Sequence, residues 1–179
     1  MGVRRSVAVL LLLVASASPS GAQAPSVAAL KAAFIINFAK LATWSSLPAT
    51  APITICAVGD DEIADRLAAM VPTQKADAHP LALVRPGRDA EWGACQILFL
   101  QDGSDARLTS KKGTRALPAE VLTVGDGKDF ASSGGMIEFF MEGSKLRFAV
   151  NVAEVRASGI VLSSRLLQLA RIVGDARAP

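Results

Sequence analysis

A chain of 179 residues that is 51% hydrophobic and 20% charged is too apolar to be disordered, and too short for a barrel enzyme of about 250 residues. Its formal charge of +3 falls to +1 when the first 22 residues, with Arg4 and Arg5, are set aside and 17 basic residues face 16 acidic ones. The densest basic cluster, Lys111, Lys112 and Arg115, reads as a solvated helix face, which argues against nucleic acid as a partner.

The N-terminus reads as a secretory signal peptide. Arg4 and Arg5 form a basic start, Val7 to Ala15 an apolar run, and small residues follow up to Ala22. The run is far shorter than the roughly 20 residues that cross a bilayer. Cleavage after Ala22 is preferred to cleavage after Ala24, which would leave Pro25 at the new N-terminus. The domain division is therefore 1–22 signal peptide and 23–179 one α/β domain, with an uncleaved anchor as the alternative.

Ser26 caps a helix over Val27 to Ala42, on which Leu30, Phe34, Phe38 and Leu41 recur at helical spacing, with Val27 one turn earlier. That aromatic stripe reads as core packing. Ile53 to Val58 is a β-branched strand, and the acidic trio at 60–62 opens a helix through Val71 that Pro72 stops. The single Gly59 between them is no dinucleotide-binding fingerprint, and the acids would repel a phosphate. Leu81 to Arg85, Ile97 to Leu100 and Val121 to Val124 read as further strands, with a helix near Ser104 to Arg115. Strands spaced by helix-length connections predict a parallel sheet with helices on both faces.

Then the pattern changes. Met136 to Met141 and Lys145 to Val150 flank Gly143 and read as a hairpin. Asn151 to Ala157 follows as a short helix with Gly159 as its C-cap, and Ser163 to Val173 as a final helix presenting Leu166, Leu167, Ala170 and Val173. The fold class is α/β: a single-domain sandwich on a mostly parallel central sheet of about six strands, with a C-terminal hairpin.

Little in the chain points to catalysis. His79 is the one histidine, set before Pro80 in what reads as a surface loop, so neither a zinc site nor a nucleophile–histidine pair is supported. Asp60 with Asp61, and Asp126 with Asp129, sit where turns and helix caps use Asp. Ser132 to Gly135 could cradle an anion through backbone N–H groups, though a tight turn into the hairpin is the stronger reading. Two cysteines in an exported chain point to a Cys56–Cys95 disulfide closing a loop of about 40 residues. Two separate buried thiols are the alternative.

The segments 134–139 (Gly-Gly-Met-Ile-Glu-Phe), 146–148 (Leu-Arg-Phe), Asn151, 157–159 (Ala-Ser-Gly) and 163–170 together resemble the YfiR family of periplasmic proteins. Lys31 to Phe34, Asn37 to Lys40, Trp44, Ile55 to Asp60 and Cys95 to Phe99 extend the likeness over about residues 28 to 173. The resemblance implies an α/β sandwich and a regulator, not an enzyme. Such a regulator represses an inner-membrane diguanylate cyclase by binding its periplasmic domain, which lowers cyclic di-GMP, biofilm and exopolysaccharide. An outer-membrane, peptidoglycan-binding OmpA-like lipoprotein sequesters the repressor, and members are redox-sensitive homodimers.

Cys56 and Cys95 fall where the family places one cysteine pair. A second pair, near the strand that starts at Met136, is missing here, so redox control would rest on these two. The motif or partner candidates are Phe34, Phe38, Trp44, Gly134, Gly135, Met136, Phe139, Arg147 and Asn151. An apolar partner surface would fall on Phe139, Phe140 and Met141, although strand alternation sends at least one of them inward. No catalytic residue, cofactor or metal is implied. The runner-up is a periplasmic small-molecule-binding protein that uses the open end of the parallel sheet.

Overall fold

The computed structural model describes residues 24–59, 61–87, 92–101 and 119–174. The expected signal peptide and the helix expected near 104–115 lie outside them. In chain order the elements are α1 (Val27–Leu41), β1 (Ala42–Thr43), β2 (Ile53–Val58), α2 (Asp61–Met70), β3 (Lys75–Ala76), β4 (His79–Val84), β5 (Ile97–Leu100) and β6 (Leu122–Gly125). The hairpin β7 (Ile137–Glu142) and β8 (Lys145–Asn151) follows, then α3 (Val152–Ser158), β9 (Val161–Leu162), α4 (Ser164–Leu169) and β10 (Arg171–Val173). Among these helices none is long and apolar enough to cross a membrane.

The main sheet has eight strands in the order β10-β8-β7-β6-β5-β2-β4-β3. Its centre, from β4 through β7, is parallel, as expected. The two extra strands are short edges. β3 folds back on β4 around Asp77 at φ 51°, so the strand begins at His79 and not at Leu81. His79 is therefore not in a free loop: its Nδ1 lies 2.8 Å from the carbonyl of Ala51.

The final helix is also shorter than its sequence suggests. It ends at Leu169, Ala170 turns extended, and residues 171–173 join β8 in parallel. The β-branched Ile172 and Val173 suit a strand, and the unpaired edge of β8 supplies the hydrogen bonds that a helix would otherwise have made.

Alternation along the strands gives the sheet two apolar faces. Ile53, Ile55, Ile97, Phe99, Leu122, Val124, Ile137 and Phe139 point to the face covered by the four described helices. On the opposite face Cys56, Val58, Leu98, Leu100 and Val121 cluster with Trp92 and Phe130. Helix α1 buries Ala32, Ile35, Ile36, Phe38 and Ala39, while Leu30, Phe34 and Leu41 are only partly covered and Val27 is exposed. The helix is apolar nearly all round, so its periodicity could not select the buried face; contact with the sheet did.

Candidate functional site

The aromatic residues singled out by the sequence are brought together, but inside. Phe38 packs 5.7 Å from Phe139 and 5.2 Å from Phe148, with Phe34 5.5 Å from Phe148. This four-ring cluster locks α1 onto the β7–β8 hairpin, each fully buried ring contributing about 1.5–3 kcal/mol. Trp44 is buried in the same core. Of the three residues expected to form an apolar partner surface, Phe139 is inside and Phe140 lies half-buried beneath the Arg171 guanidinium at 4.0 Å. Met141 alone is exposed. Arg147 is a surface residue that shares Glu142 with Arg171, at 3.3 and 3.2 Å.

The Gly134, Gly135, Met136 and Asn151 positions form a knot that ties the loop after β6 to the hairpin. Gly134 adopts φ 108°, and a Cβ on Gly135 would sit 2.3 Å from the Phe130 ring. The Met136 N–H donates to Thr123 Oγ1 at 3.0 Å, and the Asn151 N–H donates to the Met136 carbonyl at 2.8 Å. The buried Asn151 amide donates to the Ala131 carbonyl at 2.7 Å and accepts from the Glu154 N–H at 3.2 Å, capping α3. Ser133 and Gly135 donate their N–H groups to Asp129 and Phe130 carbonyls. Those two donors are spent within the turn, which favours the tight-turn reading of 132–135 over the anion cradle.

Asn151→Ala strips both side-chain bonds and leaves a buried carbonyl unsatisfied. The expected loss is roughly 2–3 kcal/mol in urea unfolding. A loss under 0.5 kcal/mol would mean that the knot adds little to the fold.

Cys56 and Cys95 form the disulfide, with Cα atoms 5.8 Å apart and 39 residues of separation. The bond joins β2 to the start of β5, the two neighbouring strands between which the strand order reverses. A small ligand of the runner-up reading would sit at the carboxyl ends of these strands. Residues 60 and 102–118, which follow those ends, lie outside the described residues.

Three features had no sequence signal. Lys31 of α1 reaches Asp126, just past β6, at 2.5 Å in a largely buried ion pair. An apolar groove of about 190 Å³ opens between α3, β9 and α4, walled by Val152, Val155, Ile160, Leu162 and Leu167. Val161 on its rim is 64% exposed.

The third is a clasp at Glu120. Its carboxylate accepts the N–H and hydroxyl groups of both Ser45 and Ser46, across 74 and 75 residues of sequence. Glu120 sits at φ 63°, a left-handed conformation unusual for a residue with a side chain, and its N–H is fixed on the Ser158 carbonyl at 3.1 Å. The Ser45 and Ser46 hydroxyls, then their backbone N–H groups, hold this exposed carboxyl below its ordinary value of 4.5. A carboxyl lowered in this way stabilises the fold above its unfolded value, and the contribution is lost as pH falls through the folded value. Hydrogen-exchange protection of segment 44–47 is therefore expected at neutral pH and should decline as the pH is taken below 4.5. Glu120→Gln should abolish that dependence; an unchanged profile would remove Glu120 as its source.

Among the described residues no group of three or more His, Cys, Asp or Glu side chains is placed to hold a metal ion. A family model described as YfiR/HmsC-like matches residues 28–171, which runs from α1 into β10. The chain belongs to the YfiR/HmsC-like family. No curated protein matches it. The family is one of periplasmic regulators of diguanylate cyclases, regulatory and not catalytic in character. The buried disulfide of this YfiR/HmsC-like chain is consistent with an oxidising compartment such as the periplasm. Its Gly134, Gly135, Met136 and Asn151 positions tie the loop after β6 to the hairpin and so have a structural role.

Proposed function

We propose that this chain is a periplasmic repressor, exported by its signal peptide, that binds the periplasmic domain of an inner-membrane diguanylate cyclase. Binding one conformation of that domain better than the other shifts its equilibrium toward the inactive cyclase, by no more than the difference in affinity. Cyclic di-GMP falls, and biofilm and exopolysaccharide with it. An OmpA-like outer-membrane lipoprotein reverses the effect by mass action when it sequesters the repressor. A homodimer is the working assembly.

The observation that carries this reading beyond the family is the α3–β9–α4 groove. It is open, walled by aliphatic side chains together with Arg156, and rimmed by exposed Val161, and a partner's apolar side chain would fit it. Phe139, one of the three residues expected on an apolar partner surface, is core, and in this reading the groove serves as that surface.

Val161→Asp places a charge on the rim without entering the core. With the purified periplasmic domain of the cyclase as titrant, affinity should fall at least about ten-fold while the melting temperature stays within about 2 °C. Unchanged affinity would remove the groove as the contact surface.

A further inference from the structure

A second cleft, of about 210 Å³, opens beside the disulfide, with walls that include Trp44, Ser46, Leu47, Gln96 and Glu120. Of the bonded pair, Cys95 lines this cleft and Cys56 does not. Both are otherwise sealed, at 3% and 2% exposure. One wall is the segment after α1 that the Glu120 carboxylate holds through Ser45 and Ser46. The clasp is itself exposed, so it can open without unfolding the core.

Direction matters in thiol–disulfide exchange. The outcome depends on which sulfur is attacked and on access to it, and the attacking sulfur approaches along the S–S axis, behind the sulfur that it captures. Cys95 is the cysteine that lines this cleft, and attack on its sulfur would expel Cys56. We propose that reduction of the disulfide begins at Cys95 Sγ through this cleft, and that the clasp of Glu120 on Ser45 and Ser46 gates it. The reductant is a thiol. Its thiolate forms a bond to Cys95 Sγ as the Cys56–Cys95 bond breaks, and the electron pair leaves on Cys56, which takes a proton from water. A second thiolate attacks the outer sulfur of the mixed disulfide, releasing the oxidised reductant and the Cys95 thiolate. Two thiols thus supply the two electrons.

The test uses the oxidised full-length mature chain. Reduced glutathione is added at pH 8, free thiols are blocked with iodoacetamide during the reaction, and peptides are mapped by mass spectrometry. Glutathione should appear on Cys95 and the carbamidomethyl group on Cys56; the reverse pattern overturns the assignment. Gating is read from the rate of reduction by dithiothreitol. Glu120→Ala should react about ten-fold faster than wild type, as expected when a local opening step is made easier. Lys31→Ala, which breaks an ion pair elsewhere in the fold, should leave the rate near wild type. Equal rates for Glu120→Ala and wild type, or equal acceleration in both variants, would refute the gate. If Glu120→Ala does not fold, the Ser45→Ala/Ser46→Ala double variant opens the same clasp from its other side and is read in the same way.

Discussion

Cys56→Ser should lower the stability of the mature domain by about 4 kcal/mol, the chain-entropy value for a loop of this length. The bond closes 39 residues of sequence, and both sulfurs lie in a packed cluster with Trp92, Leu98 and Phe130. For a domain of this size, the loss corresponds to a melting temperature lower by roughly 8–16 °C. Wild type held in excess reductant should approach the variant, because both lack the same constraint on the unfolded chain. Urea unfolding of oxidised wild type, reduced wild type and the variant checks this directly. A variant within 1 kcal/mol of oxidised wild type would mean that the bond contributes little to stability, and would weaken any regulatory reading of it.

Gly135→Ala is expected to cost about 3 kcal/mol, at the upper end for overpacking. The new methyl would lie 2.3 Å from one Phe130 ring carbon and 2.4 Å from the next. Phe130 is itself buried and cannot swing into solvent. The backbone offers no easy relief, because the Gly135 N–H is bonded to the Phe130 carbonyl and Met136 is held from both sides. Phe130→Leu introduced together with Gly135→Ala should cost less than the two changes summed, since the smaller side chain removes the clash. Strict additivity in that double-mutant cycle would place the cause elsewhere.

Much of the fold was legible because its signals are local. β2, β5 and β6 are β-branched or apolar runs bounded by turn residues, and the hairpin announces itself at Gly143. Ser26 and Gly159 behave as the caps that their types suggest, Gly159 at φ 82°. What failed was decided by tertiary contact. Residues 171–173 fit a helical stripe as well as a strand, and only the free edge of β8 settles which. The two-residue pair β1 and β9 is too short to carry any period.

The candidate site was less legible for the same reason. An even cysteine count could raise a disulfide but not show that two Cα atoms stand 5.8 Å apart. Phe34, Phe38 and Phe139 attracted notice as aromatics, and aromatics in a motif serve the core at least as readily as a surface. The Glu120 clasp joins residues 74 and 75 positions apart, with neither serine nor glutamate unusual where it stands. The groove is assembled where α3, β9 and α4 pack beside Val150 of β8, an arrangement that no local period marks.

The central claim is repression, and cellular cyclic di-GMP measures it most directly. A strain deleted for this gene should show a raised level, restored by wild type and not by Val161→Asp expressed at equal abundance in the periplasm. A level that deletion leaves unchanged would contradict repression. Full restoration by Val161→Asp would keep repression but move its contact surface away from the groove.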